Sequence, residues 1–209
     1  MNRYKAVFFD IDGTLYRSRE YEEHLLLSAV KVLAEMLGVG RDEAFRQLYE
    51  KKHVVKTVSR SVELLGLNRH EFYERLGEVV EVDRYIKPAP EITSMMRELR
   101  GRGVVVGLHT NSGRKLASKV LNQLGVDPHC YDFIVTSDDA EPKPDHSGYM
   151  LLLEKARVNP GEALYVGDRC EVELRPAFEL GMCTAYVGEG ECRYAKYVLS
   201  SLCDIMSIL

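Results

Sequence analysis

Asp10 and Asp12 lie one residue apart in Asp10-Ile11-Asp12-Gly13-Thr14, directly after the apolar run 6–9. Side chains two apart on an extended segment point the same way. Two carboxylates so placed can divide labour as nucleophile and proton carrier. Gly13 lets the backbone turn with positive φ immediately behind them. Taken alone, the same residues also suit a strand-end turn.

Three further clusters have a similar setting. Thr110-Asn111-Ser112-Gly113 follows the apolar run 104–108. A hydroxyl with free backbone amides ahead of a helix makes a phosphate cradle, although Asn111 or Ser112 could equally be a helix N-cap. Lys143 stands between two prolines in Glu141-Pro142-Lys143-Pro144-Asp145. The prolines restrict the backbone that carries it, and a lysine held in this way can neutralise a phosphoryl group. Asp168 follows the run 163–166 in Gly167-Asp168-Arg169-Cys170-Glu171-Val172-Glu173. An acid at a strand end beside further acids suits a hard divalent cation; acids near a helix N-terminus are the alternative. His109 reads as a packed strand-end residue rather than a ligand.

The elements that must position these clusters follow from periodicity. Short apolar runs rich in β formers recur at 6–9, 104–108, 133–135, 163–166 and 184–187, with an edge strand expected at 197–200. Such unbroken runs fit strands buried on both faces. Stretches of helical period lie between them at 91–100, 112–124, 149–156 and 172–180. Strand alternating with helix predicts an α/β fold: a Rossmann-like three-layer α/β/α core with a parallel sheet. Residues 17–87 break the rhythm with four helical segments, at 21–37, 41–51, 54–65 and 70–80, and predict an inserted helical bundle. The Lys87-Pro88-Ala89-Pro90 stretch returns the chain stiffly to the core.

The order strand-DxDGT, strand-TN, loop lysine, strand-GD with following acids resembles the haloacid dehalogenase (HAD) superfamily of phosphotransferases. The resemblance spans nearly the whole chain. It implies a catalytic core at 1–16 and 88–209, with 17–87 as a helical cap. Tyr16, Ile86-Lys87-Pro88 and Gly181-Met182-Cys183-Thr184 look similar to its nucleotidase-like members. The resemblance implies Asp10 as the nucleophile that becomes an aspartyl phosphate, and Asp12 as the acid and base. It implies Mg²⁺ held by the Asp10 and Asp168 carboxylates and the Asp12 backbone carbonyl. Thr110 and the Asn111 amide would bind phosphoryl oxygens, and Lys143 would neutralise charge there. Phosphoryl transfer depends on positioning and charge neutralisation, which this set supplies. One departure stands out: where the family usually has a second aspartate, this chain has Val172 and Glu173. Glu173 is expected in the outer shell, acting through water or bonding Lys143, with Glu171 as its rival.

The implied activity is hydrolysis of a small phosphomonoester such as a nucleotide, a sugar phosphate or phosphoglycolate. A phosphomutase of the same fold, or a non-catalytic binding protein on it, are the alternatives; binding alone needs no nucleophile paired with an acid. A dinucleotide-binding oxidoreductase is excluded, because the glycines of Gly101-Arg102-Gly103 precede their strand instead of following it. Lys52, Lys56 and Arg60 fall four apart in a stretch free of acids and are expected to share one helix face, which is either an ordinary solvated face or one that contacts or steers an anionic substrate.

Composition bounds these readings. The 209 residues carry 28 Lys plus Arg against 32 Asp plus Glu, a net charge of −4. That balance disfavours a nucleic-acid partner but leaves room for a small anionic metabolite. Residues 17–87 are balanced at 13 against 13, so the acidic excess belongs to the α/β part. No apolar stretch approaches the ~18 residues that would span a bilayer, so no membrane partner is expected. Five cysteines, an odd number with no Cys-x-x-Cys pair, predict reduced thiols and a cytoplasmic protein. Only five Asn and two Gln occur, as in heat-adapted chains.

Overall fold

The computed structural model describes residues 3–209. Six strands form one sheet: β1 (Ala6–Asp10), β2 (Val105–His109), β3 (Phe133–Val135), β4 (Ala163–Gly167), β5 (Cys183–Val187) and β6 (Tyr197–Leu199). All are parallel, in the order β3-β2-β1-β4-β5-β6. Each strand expected from an apolar run is present. The chain winds outward from β1 in both directions, so the direction of winding reverses between β1 and β4. Ligands of open α/β sheets bind in the crevice at such a switch point, beyond the carboxyl ends of the strands.

Alternation along β1 explains the three layers. Val7 and Phe9 face one core, shared with Met96 and Leu99 of α6 (Pro90–Gly101) and Leu116 and Val120 of α7 (Arg114–Leu124). Ala6 and Phe8 face the other core, with Tyr149 and Leu152 of α8 (Ser147–Ala156) and Ala177 of α9 (Arg175–Glu179). Burial on both faces is what an unbroken apolar run requires. In α7, Leu116, Val120, Leu121 and Leu124 form a stripe that is buried in full.

Between β1 and α6 lie five helical elements: α1 (Arg19–Leu37), α2 (Arg41–Val55), α3 (Val58–Leu64), α4 (Arg69–Val79) and the single turn α5 (Val82–Tyr85). Ser18 caps α1 by accepting from the Tyr21 amide, and Gly38, with φ +67°, ends it. Phe72, Tyr73 and Leu76 form the buried face of α4. These helices are fastened to α7. Lys119 Nζ donates to the Gly77 and Val80 carbonyls at 2.7 and 3.1 Å, at the end of α4 where carbonyls lack helical partners.

Two expectations are corrected. The helix predicted over 54–65 is broken: Lys56 adopts φ +64° and ends α2, and the Thr57 hydroxyl accepts from the Arg60 amide to start α3. Lys52, Lys56 and Arg60 therefore share no helix face. The thiols are also not all free. Cys170 and Cys192 form a disulfide with Cα atoms 5.5 Å apart, while Cys130, Cys183 and Cys203 are unpaired. The two partners are 22 residues apart in sequence and meet because the loops after β4 and β5 are neighbours in the sheet. Among the described residues, no helix is long and apolar enough to cross a membrane.

Candidate active site

All four clusters meet at the carboxyl ends of β1, β2 and β4. β1 ends at Asp10, which is buried. Asp12 lies in the turn that follows, and both line one cleft. Gly13 has φ +96°, and a Cβ there would stand 2.3 Å from Asp168 Oδ2. The turn can therefore approach β4 only as glycine. Asp12 is held by three donors. Tyr16 donates to its Oδ1 at 2.6 Å, while Thr110 Oγ1 and Ser112 Oγ donate to its Oδ2 at 3.0 and 3.4 Å. Burial, then the charge of Asp12, pushes the Tyr16 hydroxyl far above its ordinary pKa, so it remains a donor.

The polar side chains of the segment after β2 do not cap the helix that follows. Gly113, not Asn111 or Ser112, precedes α7, and the first amide of α7, that of Arg114, is taken by Asp138 Oδ2 at 2.7 Å. This leaves the side chain of Asn111 free to clasp the lysine loop. Its Oδ1 accepts from the Lys143 amide at 2.7 Å, and its Nδ2 donates to the Lys143 carbonyl at 3.0 Å. Nothing in the sequence pattern pointed to this clasp, which depends on two loops meeting across the sheet.

Lys143 is buried, and its Nζ donates to Asp10 Oδ1 at 2.5 Å and Glu173 Oε1 at 3.2 Å. Glu173 reaches inward because Cys170–Leu174 forms a π-helical turn after Asp168. Its second oxygen accepts from the Asp168 and Arg169 amides, both at 3.2 Å. Gly167 gives it room, since a Cβ there would lie 2.7 Å from Glu173 Oε2. Of the two expected possibilities for Glu173, the structure shows the bond to Lys143. Glu171 lies outside the site, exposed and paired with Arg175 and Arg193. His109 is packed as expected. It is buried against Tyr149 and bonded to Tyr165 Oη at 3.1 Å, and burial followed by the nearby Lys143 charge holds it well below its usual pKa.

The electrostatics of the cluster are one cation short. Oxygens of Asp10, Asp168 and Glu173 lie within 4.8 Å of one another, facing the single ammonium of Lys143. Burial, then Glu173, pushes Asp10 well above the ordinary carboxylate range against the pull of Lys143. The same two causes push Asp168 up to about 7, opposed by Lys143, Arg169 and Arg17. Burial alone would lower the Lys143 pKa, but Asp10 and then Glu173 more than reverse this and raise it. Asp10 Oδ2 and Asp168 Oδ1 are buried with no hydrogen-bond partner among the described residues. Buried carboxylates so crowded are costly unless a cation joins them. Two orphaned, hard oxygen donors suit Mg²⁺, which binds through few carboxylates and keeps further positions for water and phosphate.

Above these residues lies a cleft of about 470 Å³, closed on the side of α1 and α2 by Tyr21, Leu25, Leu26, Lys52 and Lys56. Lys52 and Lys56 thus border the site although they share no helix face. Arg60 points elsewhere, toward Glu141 at 3.3 Å and Asp145 at 3.5 Å, and so joins α3 to the lysine loop. A separate open depression beside the disulfide is lined by Cys170, Glu171, Cys192 and Arg193 and holds none of the clustered acids.

The haloacid dehalogenase-like hydrolase family model matches residues 4–181. The chain is 25% identical over 221 residues to the glyceraldehyde 3-phosphate phosphatase of Methanocaldococcus jannaschii, covering 98% of this chain and 96% of that one. It is 30% identical over 174 residues to the phosphoglycolate phosphatase of Aquifex aeolicus, covering 78% and 76%. The crystal structure of an HAD phosphatase from Thermococcus onnurineus superposes with a TM-score of 0.69 at 24% identity, covering 98% of this chain and 97% of the other. That likeness carries the fold, and the family match carries the class of chemistry: the chain belongs to the haloacid dehalogenase-like hydrolases and is a phosphatase among them.

Proposed function

We propose that this phosphatase hydrolyses a small-molecule phosphomonoester through a phosphorylated Asp10, with Mg²⁺ as its cofactor. The observation that carries the reading is the buried Asp10–Lys143–Glu173 triad beside two orphaned carboxylate oxygens. Asp10 attacks phosphorus as the bond to the leaving oxygen breaks. Asp12, on the adjacent turn, gives that oxygen its proton. In the second step Asp12 takes a proton from the water that attacks the phosphorylated Asp10, which releases inorganic phosphate and restores the Asp10 carboxylate and the acid form of Asp12.

Lys143 holds Asp10 Oδ1 and balances negative charge that gathers around phosphorus, while Glu173 holds Lys143 in place. Tyr16, Thr110 and Ser112 orient Asp12 between the two steps. When substrate is bound, Thr110 turns its single hydroxyl proton from Asp12 to the phosphoryl oxygens, beside the Asn111 amide, while Tyr16 and Ser112 keep their bonds to Asp12. Mg²⁺ would be held by the Asp10 and Asp168 carboxylates and the Asp12 backbone carbonyl, and when bound it supplies charge neutralisation at the phosphoryl group.

The segment 17–87 acts as a lid over the α/β core formed by 1–16 and 88–209, excluding water and selecting the leaving group. Lys52 and Lys56, on its cleft side, draw in anionic substrates. The named relatives suggest a three-carbon sugar phosphate or phosphoglycolate as substrate. Turnover of p-nitrophenyl phosphate with and without Mg²⁺ tests the activity, and a phosphate-release screen over a metabolite panel ranks the substrates. A wild-type protein without turnover, or an Asp10→Asn variant with equal turnover, contradicts the reading.

A further inference from the structure

The break between α2 and α3, which removes the expected lysine stripe, places one short stretch of the cap against three loops of the site. The Lys56 carbonyl accepts from Arg169 Nη2 at 3.0 Å, next to Asp168. Arg60 reaches Glu141 and Asp145 on either side of the lysine loop. Between them Ser59, almost wholly buried, donates from Oγ to the Asn111 carbonyl at 2.9 Å. A serine hydroxyl has a single proton. With that proton on the Asn111 carbonyl, the 2.7 Å contact between Ser59 Oγ and Tyr73 Oη has the tyrosine as donor.

Asn111 therefore stands between the cap and Lys143. Its carbonyl is fixed by Ser59, and its side chain exchanges two hydrogen bonds with the Lys143 backbone. The backbone position of Lys143 in turn decides whether Nζ reaches Asp10 and Glu173. We propose that Ser59 is a positioning residue which makes the seat of Lys143 depend on cap closure. With the cap down, Ser59 orients Asn111 and the clasp sets the lysine. With the cap raised, the Asn111 carbonyl loses its donor and the clasp loosens. The lysine is then fully seated only when water has been excluded from the cleft. For its catalytic consequence this inference rests on the reading in which Asp10 is the nucleophile and Lys143 its partner.

Ser59→Ala removes the donor and leaves the substrate-facing residues in place. The expected result is a loss in kcat of about tenfold, the rate equivalent of one weakened hydrogen bond, with KM changed less than about twofold. Ser59→Thr, which keeps the hydroxyl, restores most of kcat. Hydrogen exchange of the peptide spanning 141–146 supplies a readout that needs no turnover: Ser59→Ala raises exchange at the Lys143 amide, while the exchange of β1 and β4 stays unchanged. Should Ser59→Ala fail to fold, Ser59→Cys, a weak donor of similar shape, is read by the same criteria. An inactive wild type would sink the phosphatase reading and leave the exchange result standing. Wild-type kcat in a folded Ser59→Ala protein, or unchanged protection of the Lys143 amide, overturns the coupling itself.

Discussion

Gly13 and Asp168 are so close that a single added methyl group would put carbon 2.3 Å from a carboxylate oxygen. The turn behind Asp12 and the end of β4 are thereby packed backbone against side chain, with the orphaned Asp168 Oδ1 facing the cluster. Gly13→Ala also forces φ +96° on a residue that resists it. We expect activity to fall by at least about a hundredfold, since an ångström of displacement at a reacting centre costs that much. Mg²⁺ affinity, measured by calorimetry, falls with it. Unchanged Mg²⁺ binding in a folded variant would contradict this view of the turn.

Removing the lysine should expose how the cluster is balanced. Lys143→Met leaves Asp10 and Glu173 buried without their ammonium. Breaking a buried pair from one side typically costs about 3–5 kcal/mol. Denaturant unfolding of the metal-free protein should show a loss of that size, and saturating Mg²⁺ should recover part of it. A loss within experimental error would contradict a buried ion pair between Lys143 and these acids.

The pH dependence follows from Asp168. Its pKa is raised from 3.8 to about 7. A carboxyl raised on folding binds its proton more tightly in the native state. Its effect on the metal-free protein is therefore a loss of stability as pH rises from the unfolded value toward about 7. Mg²⁺ requires the ionised form, so its stabilising effect should grow over the same range. The rise in Tm on adding Mg²⁺ should be larger at pH 8 than at pH 6. An equal or smaller rise at pH 8 would place the ion elsewhere.

Lys52 and Lys56 border the cleft, and among the described residues neither forms an ion pair with a carboxylate. Reversing both charges should lower kcat/KM for an anionic substrate several-fold at low salt, with the gap closing as salt is added. Equal kcat/KM at low salt would reduce these lysines to a solvated rim.

Much of this arrangement was legible before the structure. The runs 6–9, 104–108, 133–135 and 163–166 are short, apolar and unbroken, and only a strand covered on both faces uses such a run. Because β1 and β4 are neighbours, Asp10 and Asp168 had to meet once the strands were placed. Features set by single backbone torsions or by distant loops were not legible. The valines at 54, 55, 58 and 62 keep helical spacing across the break at Lys56, so the stripe looked continuous. Glu173 keeps α-helical spacing too, yet a π turn swings it onto Lys143. The pairing of Cys170 with Cys192 and the clasp of Asn111 on Lys143 depend on which loops adjoin, and no local pattern encodes that.

The central claim is that Asp10 becomes phosphorylated, and trapping that species tests it most directly. Wild-type protein is quenched in acid during turnover of a phosphomonoester, digested, and searched by mass spectrometry for an added phosphoryl group. The account predicts one such group, on the peptide containing Asp10, lost under mild alkali and absent from Asp10→Asn. A phosphoryl group on another residue, or turnover by Asp10→Asn at the wild-type rate, would contradict it.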